Sequence, residues 1–268
     1  MKIGIIGYGV VGKALGNMLT NNRHKILTYD TATCEPFGKE FNKLNNECKL
    51  VFICSSTRFS RTTNALDCDY MDELVEKLTG NRIIVVRSTV TPGTTDYLQK
   101  KHPNHDIYFV PEFLNEDTAV ADMLNPRHIY IIGTCKNIDS ADDDPNISLI
   151  LHLCPYVEKV GYQILPAIQA EFIKLATNSF YFIKLMFAYT MYNVGMSQEA
   201  LNILNKDNWI GENYLSIKHK DYDGAGGMCL PKDMLALTHL TKSKLLETAC
   251  DLNEELLDRQ GRSMNDWL

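Results

Sequence analysis

The sequence has no CxxC pair among its eight cysteines and no cationic leader followed by an apolar core and a cleavage site. Without an export signal the cysteines are expected as free thiols in a reducing compartment, and the expected location is cytoplasmic. A long apolar run free of polar side chains is also missing. The most apolar segment, 172–196, carries Lys174, Asn178, Lys184 and Asn193, which marks a buried helix rather than a membrane span. Positive charge is not in excess: 27 Lys and Arg against 33 Asp and Glu give −6, so neither nucleic acid nor a membrane is an expected partner. Repeats and low-complexity stretches are absent. The His102-Pro103-Asn104-His105 stretch reads as a polar loop, and no metal is expected.

What is present is an ordinary globular composition, with 268 residues, 45% hydrophobic and 22% charged. Short apolar runs at 2–6, 25–29, 50–54, 82–87, 107–110 and 128–132 alternate with helix-like stretches. Continuous rather than alternating apolar character suits parallel strands covered on both faces, and the strand–helix alternation predicts a doubly wound sheet. Residues 136–146, with Asp142-Asp143-Asp144, read as a solvated loop. From Ala167 to Leu204 there is no proline and one interior glycine, Gly195, which predicts one long buried helix. A Gly-rich loop at 221–233 and a helical tail from Met234 to about Arg259 follow. The expected fold is α/β: a Rossmann-type doubly wound sheet over 1–165, then a mostly helical domain over 166–268 with one long central helix.

Gly7-Tyr8-Gly9-Val10-Val11-Gly12 is a GxGxxG sequence that follows an apolar strand and opens a helix. Asp30 stands 18 positions beyond Gly12, at the end of the next strand. Gly7 permits the tight turn, Gly9 close approach of a pyrophosphate, and Gly12 helix–strand packing. The opening of the helix, with Val10 and Val11, offers free N–H groups and a positive dipole end. Asp30 suits a ribose diol and repels a 2′-phosphate, so the expected cofactor is NAD. Thr57 and Thr89 lie in loops after two further strands. Their hydroxyls are candidates for cofactor contacts, with simple turn chemistry as the alternative.

Glu171, Lys174 and Asn178 share one face of the long helix. A lysine and an asparagine one turn apart form a fitting pair for an oxyanion; the alternative is a lysine that snorkels to solvent. In Gly224-Ala225-Gly226-Gly227-Met228-Cys229-Leu230-Pro231-Lys232-Asp233, a flexible loop sets a cysteine beside a lysine and an aspartate. Cys229 is a candidate nucleophile there or an inert core thiol. The other seven cysteines are expected to be structural. Glu112 and Glu116, in Val110-Pro111-Glu112-Phe113-Leu114-Asn115-Glu116, are candidate acid–base groups.

Together these segments resemble the UDP-glucose/GDP-mannose dehydrogenase family, which oxidises the C6 alcohol of a nucleotide sugar to a carboxylate. The matching stretches are KIGIIGYGVVG, STVTPGTT (88–95), PEFLNEDTAVADMLNPRHIYIIG (111–133), AEFIKLATNSF (170–180) and GAGGMCLPKD (224–233). The resemblance implies two hydride transfers to NAD through a thiohemiacetal and a thioester on Cys229. It implies that Lys174 and Asn178 stabilise the oxyanion, that Asp233 and Thr89 hold the catalytic water, and that Glu116 acts with it. Lys232 and Glu116 also fall on the cofactor side. Glu112, Phe113, Leu114, Lys174, Asn178 and Gly226 fall at the substrate. A homodimer on the long helix is also implied.

The sequence departs from the family in three places. The family's arginine upstream of the Gly-rich loop is not matched in 213–217, and Ala225 and Leu230 stand where the family shows aromatics. Members usually continue into a second nucleotide-fold domain, whereas this sequence ends at Leu268. The expectation is therefore a short form whose substrate is a nucleotide sugar or a smaller sugar relative, with a partner chain as one source of the missing domain. Two other readings stay open: a two-electron β-hydroxyacid-type dehydrogenase, which does not need Cys229, and a non-catalytic NAD-binding module.

Overall fold

Four- and five-residue apolar runs cannot hide both faces alone; each must lie between two layers of helix. A computed structural model describes residues 1–154, 156–211, 213–217 and 222–268, so Asp221 of the expected Gly-rich loop lies outside the described residues. The strands are β1 (Lys2–Ile6), β2 (Lys25–Tyr29), β3 (Leu50–Ile53), β4 (Phe59–Ser60), β5 (Ala65–Leu66), β6 (Ile83–Val86), β7 (Asp106–Phe109), β8 (Tyr130–Thr134) and β9 (Tyr162–Pro166). The first helices are α1 (Val10–Asn21), α2 (Lys39–Glu47), α3 (Asp69–Lys77), α4 (Thr94–Lys101), α5 (Ala119–Leu124), α6 (Pro145–His152) and α7 (Val157–Val160). Then come α8 (Ala167–Asn193), α9 (Gln198–Leu204), α10 (Leu230–Thr241) and α11 (Lys244–Asp258). None of the helices among the described residues is long and apolar enough to cross a membrane.

The chain divides into two units, one of Met1–Thr57 with Cys68–Lys174 and one of Arg58–Asp67 with Leu175–Leu268. In the first unit a seven-stranded sheet runs β2-β1-β3-β6-β7-β8-β9. Strand alternation sends Ile3, Ile5, Phe52, Val85 and Tyr108 into one buried layer with Leu15 and Leu19 of α1. Ile6, Val51, Ile53, Ile84, Val86 and Phe109 enter the opposite layer with Phe41, Leu44 and Leu74. Both faces are therefore covered, as the continuous apolar runs imply.

The sheet differs from the expectation in two ways. β8 runs antiparallel to β7, because an apolar run records burial but not direction. β9, paired parallel to β8, was not anticipated; it is a largely exposed edge strand whose closing proline needs no ladder bond. Residues 136–146 are not simply solvated. Asp144 is buried, caps α6 by accepting the Asn146 N–H (2.8 Å), and pairs with Lys136 at 2.8 Å.

The expected single helix over 167–204 is two helices. α8 ends where Gly195 takes φ +100° and the Met196 N–H reaches back to the Met191 carbonyl (3.0 Å). Ser197 then caps α9 by accepting from the Ala200 N–H at 3.2 Å. The tail likewise divides at Lys242, whose φ of +52° closes α10. The second unit packs Phe182, Met186 and Tyr189 of α8 with Leu201, Met234, Leu246 and Leu257. The β4–β5 hairpin belongs to this unit. Phe59 stacks on His239 of α10 with centroids 5.6 Å apart, and Arg61 Nε donates to Asn265 at 2.8 Å.

Glu171 is fully buried in the first unit and caps α4. Its carboxylate accepts from the Gly93 N–H (2.6 Å), the Thr95 N–H (2.8 Å) and the Thr95 hydroxyl (2.6 Å). Glu171→Ala strands three donors and is expected to cost about 2–3 kcal/mol, read as a lower urea midpoint. An unchanged midpoint contradicts this capping role.

Candidate active site

The glycine turn is set by sterics. Gly7 has φ +85°, and a Cβ there would lie 2.5 Å from the Ser55 backbone nitrogen. A Cβ on Gly12 would lie 2.1 Å from the Gly7 carbonyl oxygen, so both positions exclude a side chain. Gly9 meets nothing within 4 Å. It is the N-cap of α1 without a side-chain cap, which leaves the Val10 and Val11 end of the helix free for an anion. Asp30 accepts from the Tyr8 N–H (2.6 Å) through one oxygen and from the Ala32 N–H (2.9 Å) through the other. Each oxygen keeps a lone pair for a ribose hydroxyl. These residues fit a dinucleotide. The Thr57 hydroxyl donates to the Thr89 carbonyl at 2.7 Å, tying the loops after β3 and β6 together, so its oxygen rather than its proton faces any ligand.

In the same unit the loop after β7 closes on Lys174. The lysine ammonium donates to the Glu112 carbonyl and lies 3.2 Å from Glu112 Oε1 and 5.1 Å from the Phe113 ring centroid. Glu112 also accepts the Leu114 N–H at 2.8 Å. Lys174 is buried, so it does not snorkel. Burial works against the charge on Glu112, but Lys174, the Leu114 amide and Arg87 outweigh it and hold its carboxyl below the usual range. Glu116 sits at the start of an exposed 3-10 turn, 116–118.

In the second unit Cys229 is exposed and is the N-cap of α10, with Pro231 and Asp233 in the first turn. A helix N-terminus favours negative charge, which suits a sulfur that reacts as an anion. Asp233 is wholly buried; it accepts from Asn178 at 2.6 Å and from Lys232. The Lys232 charge is thus engaged by its neighbour in sequence. A Cβ on Gly226 would meet the Tyr222 hydroxyl at 2.5 Å. Burial raises the thiols of Cys48, Cys154 and Cys250, and pushes Cys54 up to about 12, which suits structural roles.

Sequence reasoning passed over Asn253 and Arg87. Asn253, fully buried on α11, accepts the Ala225 N–H (2.6 Å) and donates to the Ala225 carbonyl (2.9 Å), pinning the Gly-rich loop. Its signal was a lone amide on the apolar face made by Leu246, Ala249, Cys250 and Leu257. The signal at Arg87 was a charge closing an apolar strand.

Residues 36–142 match the model of the UDP-glucose/GDP-mannose dehydrogenase family, NAD binding domain, and residues 168–255 match that family's central domain. The chain belongs to the UDP-glucose/GDP-mannose dehydrogenase family. NAD is the cofactor of this family's binding domain. The UDP-glucose 6-dehydrogenase of Rickettsia bellii is 28% identical over 95% of this chain and 67% of its own length. That of Rickettsia conorii is also 28% identical, over 65% of this chain and 40% of its own. The chain thus spans between two fifths and two thirds of these relatives. Among solved structures, a UDP-glucose dehydrogenase from the hyperthermophilic archaeon Pyrobaculum islandicum shares the fold with a TM-score of 0.75 at 21% identity, covering 97% of this chain and 71% of that one. A Mycobacterium tuberculosis 3-hydroxyisobutyrate dehydrogenase shares it at 0.66 and 12% identity, covering 98% and 95%.

Because the folded state holds Glu112 below its ordinary value, this family member gains stability from it above about pH 4.5 and loses that gain as pH falls through the lower folded value. Glu112→Gln is expected to flatten that acid loss in pH-resolved urea titrations; an identical acid slope contradicts the ion pair.

Proposed function

We propose that the chain oxidises the C6 alcohol of a nucleotide sugar to a carboxylate in two hydride transfers, with Cys229 as nucleophile. One observation carries the reading: an exposed thiol caps a helix whose first turn holds buried Asp233, and Asp233 accepts from Asn178 of α8. Bound NAD supplies the hydride acceptor in each oxidation step. Gly7, Gly9, Val10, Val11, Gly12 and Asp30 hold its pyrophosphate and ribose, with Thr57, Thr89, Glu116 and Lys232 completing the contacts. Glu112, Phe113, Leu114 and Gly226 position the sugar.

The alcohol proton leaves through water with Glu116 and the first hydride leaves the same carbon for the acceptor, giving the aldehyde, while Lys174 and Asn178 stabilise the developing oxyanion, an effect of about 3 kcal/mol per donor in a dry site. The Cys229 thiolate then adds to the aldehyde carbon and forms the C–S bond of a thiohemiacetal. Loss of the second hydride from that carbon restores the carbonyl as a thioester. Water held by Asp233 and Thr89 attacks it, the C–S bond breaks, and carboxylate and thiolate separate as the water's two protons pass to solvent. The exposed aromatics Phe180, Phe187 and Tyr192 of α8 support assembly as a homodimer.

A second reading, a two-electron oxidation of a small hydroxyacid, needs only the pair of Lys174 and Asn178 one turn apart on α8 and leaves Cys229 without a role. The deciding experiment is NADH yield from UDP-glucose, GDP-mannose, UDP-N-acetylmannosamine and small hydroxyacids, with Cys229→Ala alongside. Two NADH per nucleotide sugar, abolished in the variant, is the expected result. One NADH per hydroxyacid, unaffected by Cys229→Ala, overturns it in favour of the second reading. NAD binding without turnover of any of them makes the chain a binding module.

A further inference from the structure

Asn253 holds the Gly-rich loop at Ala225, and a second carboxamide holds it two residues earlier. Gln260, in the turn that closes α11, accepts the Asp223 N–H (2.8 Å) and donates to the Asp223 carbonyl (3.0 Å). Its amide is oriented in turn by a donation to the Leu256 carbonyl at 2.7 Å. Asn253 makes the same two bonds to Ala225, at 2.6 and 2.9 Å. Each side chain thus exchanges both bonds with one backbone residue, as the facing residue of an antiparallel strand does. The two amides stand seven positions apart, two helical turns, so they rise on one face. The residues they hold, Asp223 and Ala225, flank Gly224. Its φ is +106°, and a Cβ there would lie 2.9 Å from Asn253 Oδ1, so the close approach requires glycine.

We propose that Asn253 and Gln260 are positioning residues: together they clamp the Gly-rich loop to α11 and so fix the Cys229 thiol at the head of α10. The inference rests on the proposed role of Cys229 as nucleophile. With both clamps closed, the span that no amide holds runs only from Gly226 to Cys229, where α10 begins. With them open it runs back to Tyr222, whose ring is buried in the core of the unit. That longer span contains Gly224, Gly226 and Gly227, and glycine backbone has the most freedom to lose. Cys229 is the N-cap, so its sulfur keeps its place beside the N–H groups of the first turn only while the span is fixed. The amides therefore act on the sulfur through the backbone. Asn253 is wholly buried and Gln260 is exposed, so the buried clamp carries the larger share.

The test is pulsed alkylation of the folded chain by iodoacetamide at neutral pH, read cysteine by cysteine by peptide mass spectrometry. It compares wild type with Asn253→Asp and Gln260→Met. Asn253→Asp keeps the shape and the acceptor but sets an oxygen against the Ala225 carbonyl; Gln260→Met keeps the length and removes both bonds. Cys250, buried on α11 itself, reports loosening of the unit as a whole. The Cys229 thiol is already exposed, so a loosened loop gives it no more access and takes away the fixed helix end. The expected result is a Cys229 rate about threefold lower in Asn253→Asp, and lower by a smaller factor in Gln260→Met, with Cys250 still unlabelled. If Asn253→Asp does not fold, Gln260→Met carries the comparison. A Cys229 rate at or above wild type in the variants overturns the proposal. Labelling of Cys250 in step with Cys229 overturns it too, because the amides are then structural only. Alkylation needs no substrate, so an absence of dehydrogenase activity sinks the proposed function and leaves the clamp result standing.

Discussion

The contact between Lys174 and Glu112 anchors the start of the long helix to the loop after β7, and the candidate chemistry is built outward from it. Lys174 is buried and the Glu112 side chain nearly so, and removing either partner leaves a charge in apolar surroundings, a loss of about 3–5 kcal/mol. Three residues earlier on α8, Glu171 grips the opening of α4 through Gly93 and Thr95. Two carboxylates thus fasten the first turns of this helix to two loops of the first unit: Glu171 lies on the helix and reaches out, and Glu112 lies on a loop and reaches in. Asn178, one turn beyond Lys174, carries the same helix face into the second unit, where it meets Asp233.

The second unit separates two tasks that are often combined in one residue. Cys229 is placed by backbone, at the first turn of α10, and remains exposed. Polarity is placed by buried pairs: Asp233 with Asn178 and Lys232, and Asn253 with both backbone groups of Ala225. A loop that contains Gly224 and Gly227, both at positive φ, is held by that amide and by Tyr222 and Ala225 packed in the core of the unit.

Much of this was legible in the sequence because the signals were local. The β1 and β2 boundaries agree residue for residue with the apolar runs, and Gly7, Gly12 and Asp30 occupy the turn that their spacing implies. What was not legible depends on distance in the chain. The direction of β8 is set by its pairing, not its composition, and β9 is too exposed and mixed to stand out. The joining of Arg58–Asp67 to the second unit has no local signature at all. Whether Lys174 snorkels or pairs depends on Glu112, 62 residues away in the chain, which no local pattern reveals. Gly195 is the one interior glycine of 167–204, but only its positive φ marks it as the end of α8.

The central claim is that a nucleotide-sugar carbon becomes covalently attached to Cys229 between two oxidations. It is tested most directly by acid-quenching the protein during turnover with NAD and UDP-glucose, followed by peptide mass spectrometry. The account predicts an acyl adduct of the sugar nucleotide on the peptide containing Cys229 and on no other cysteine. Turnover to the carboxylate with every cysteine peptide unmodified, and with Cys229→Ala equally active, would contradict it.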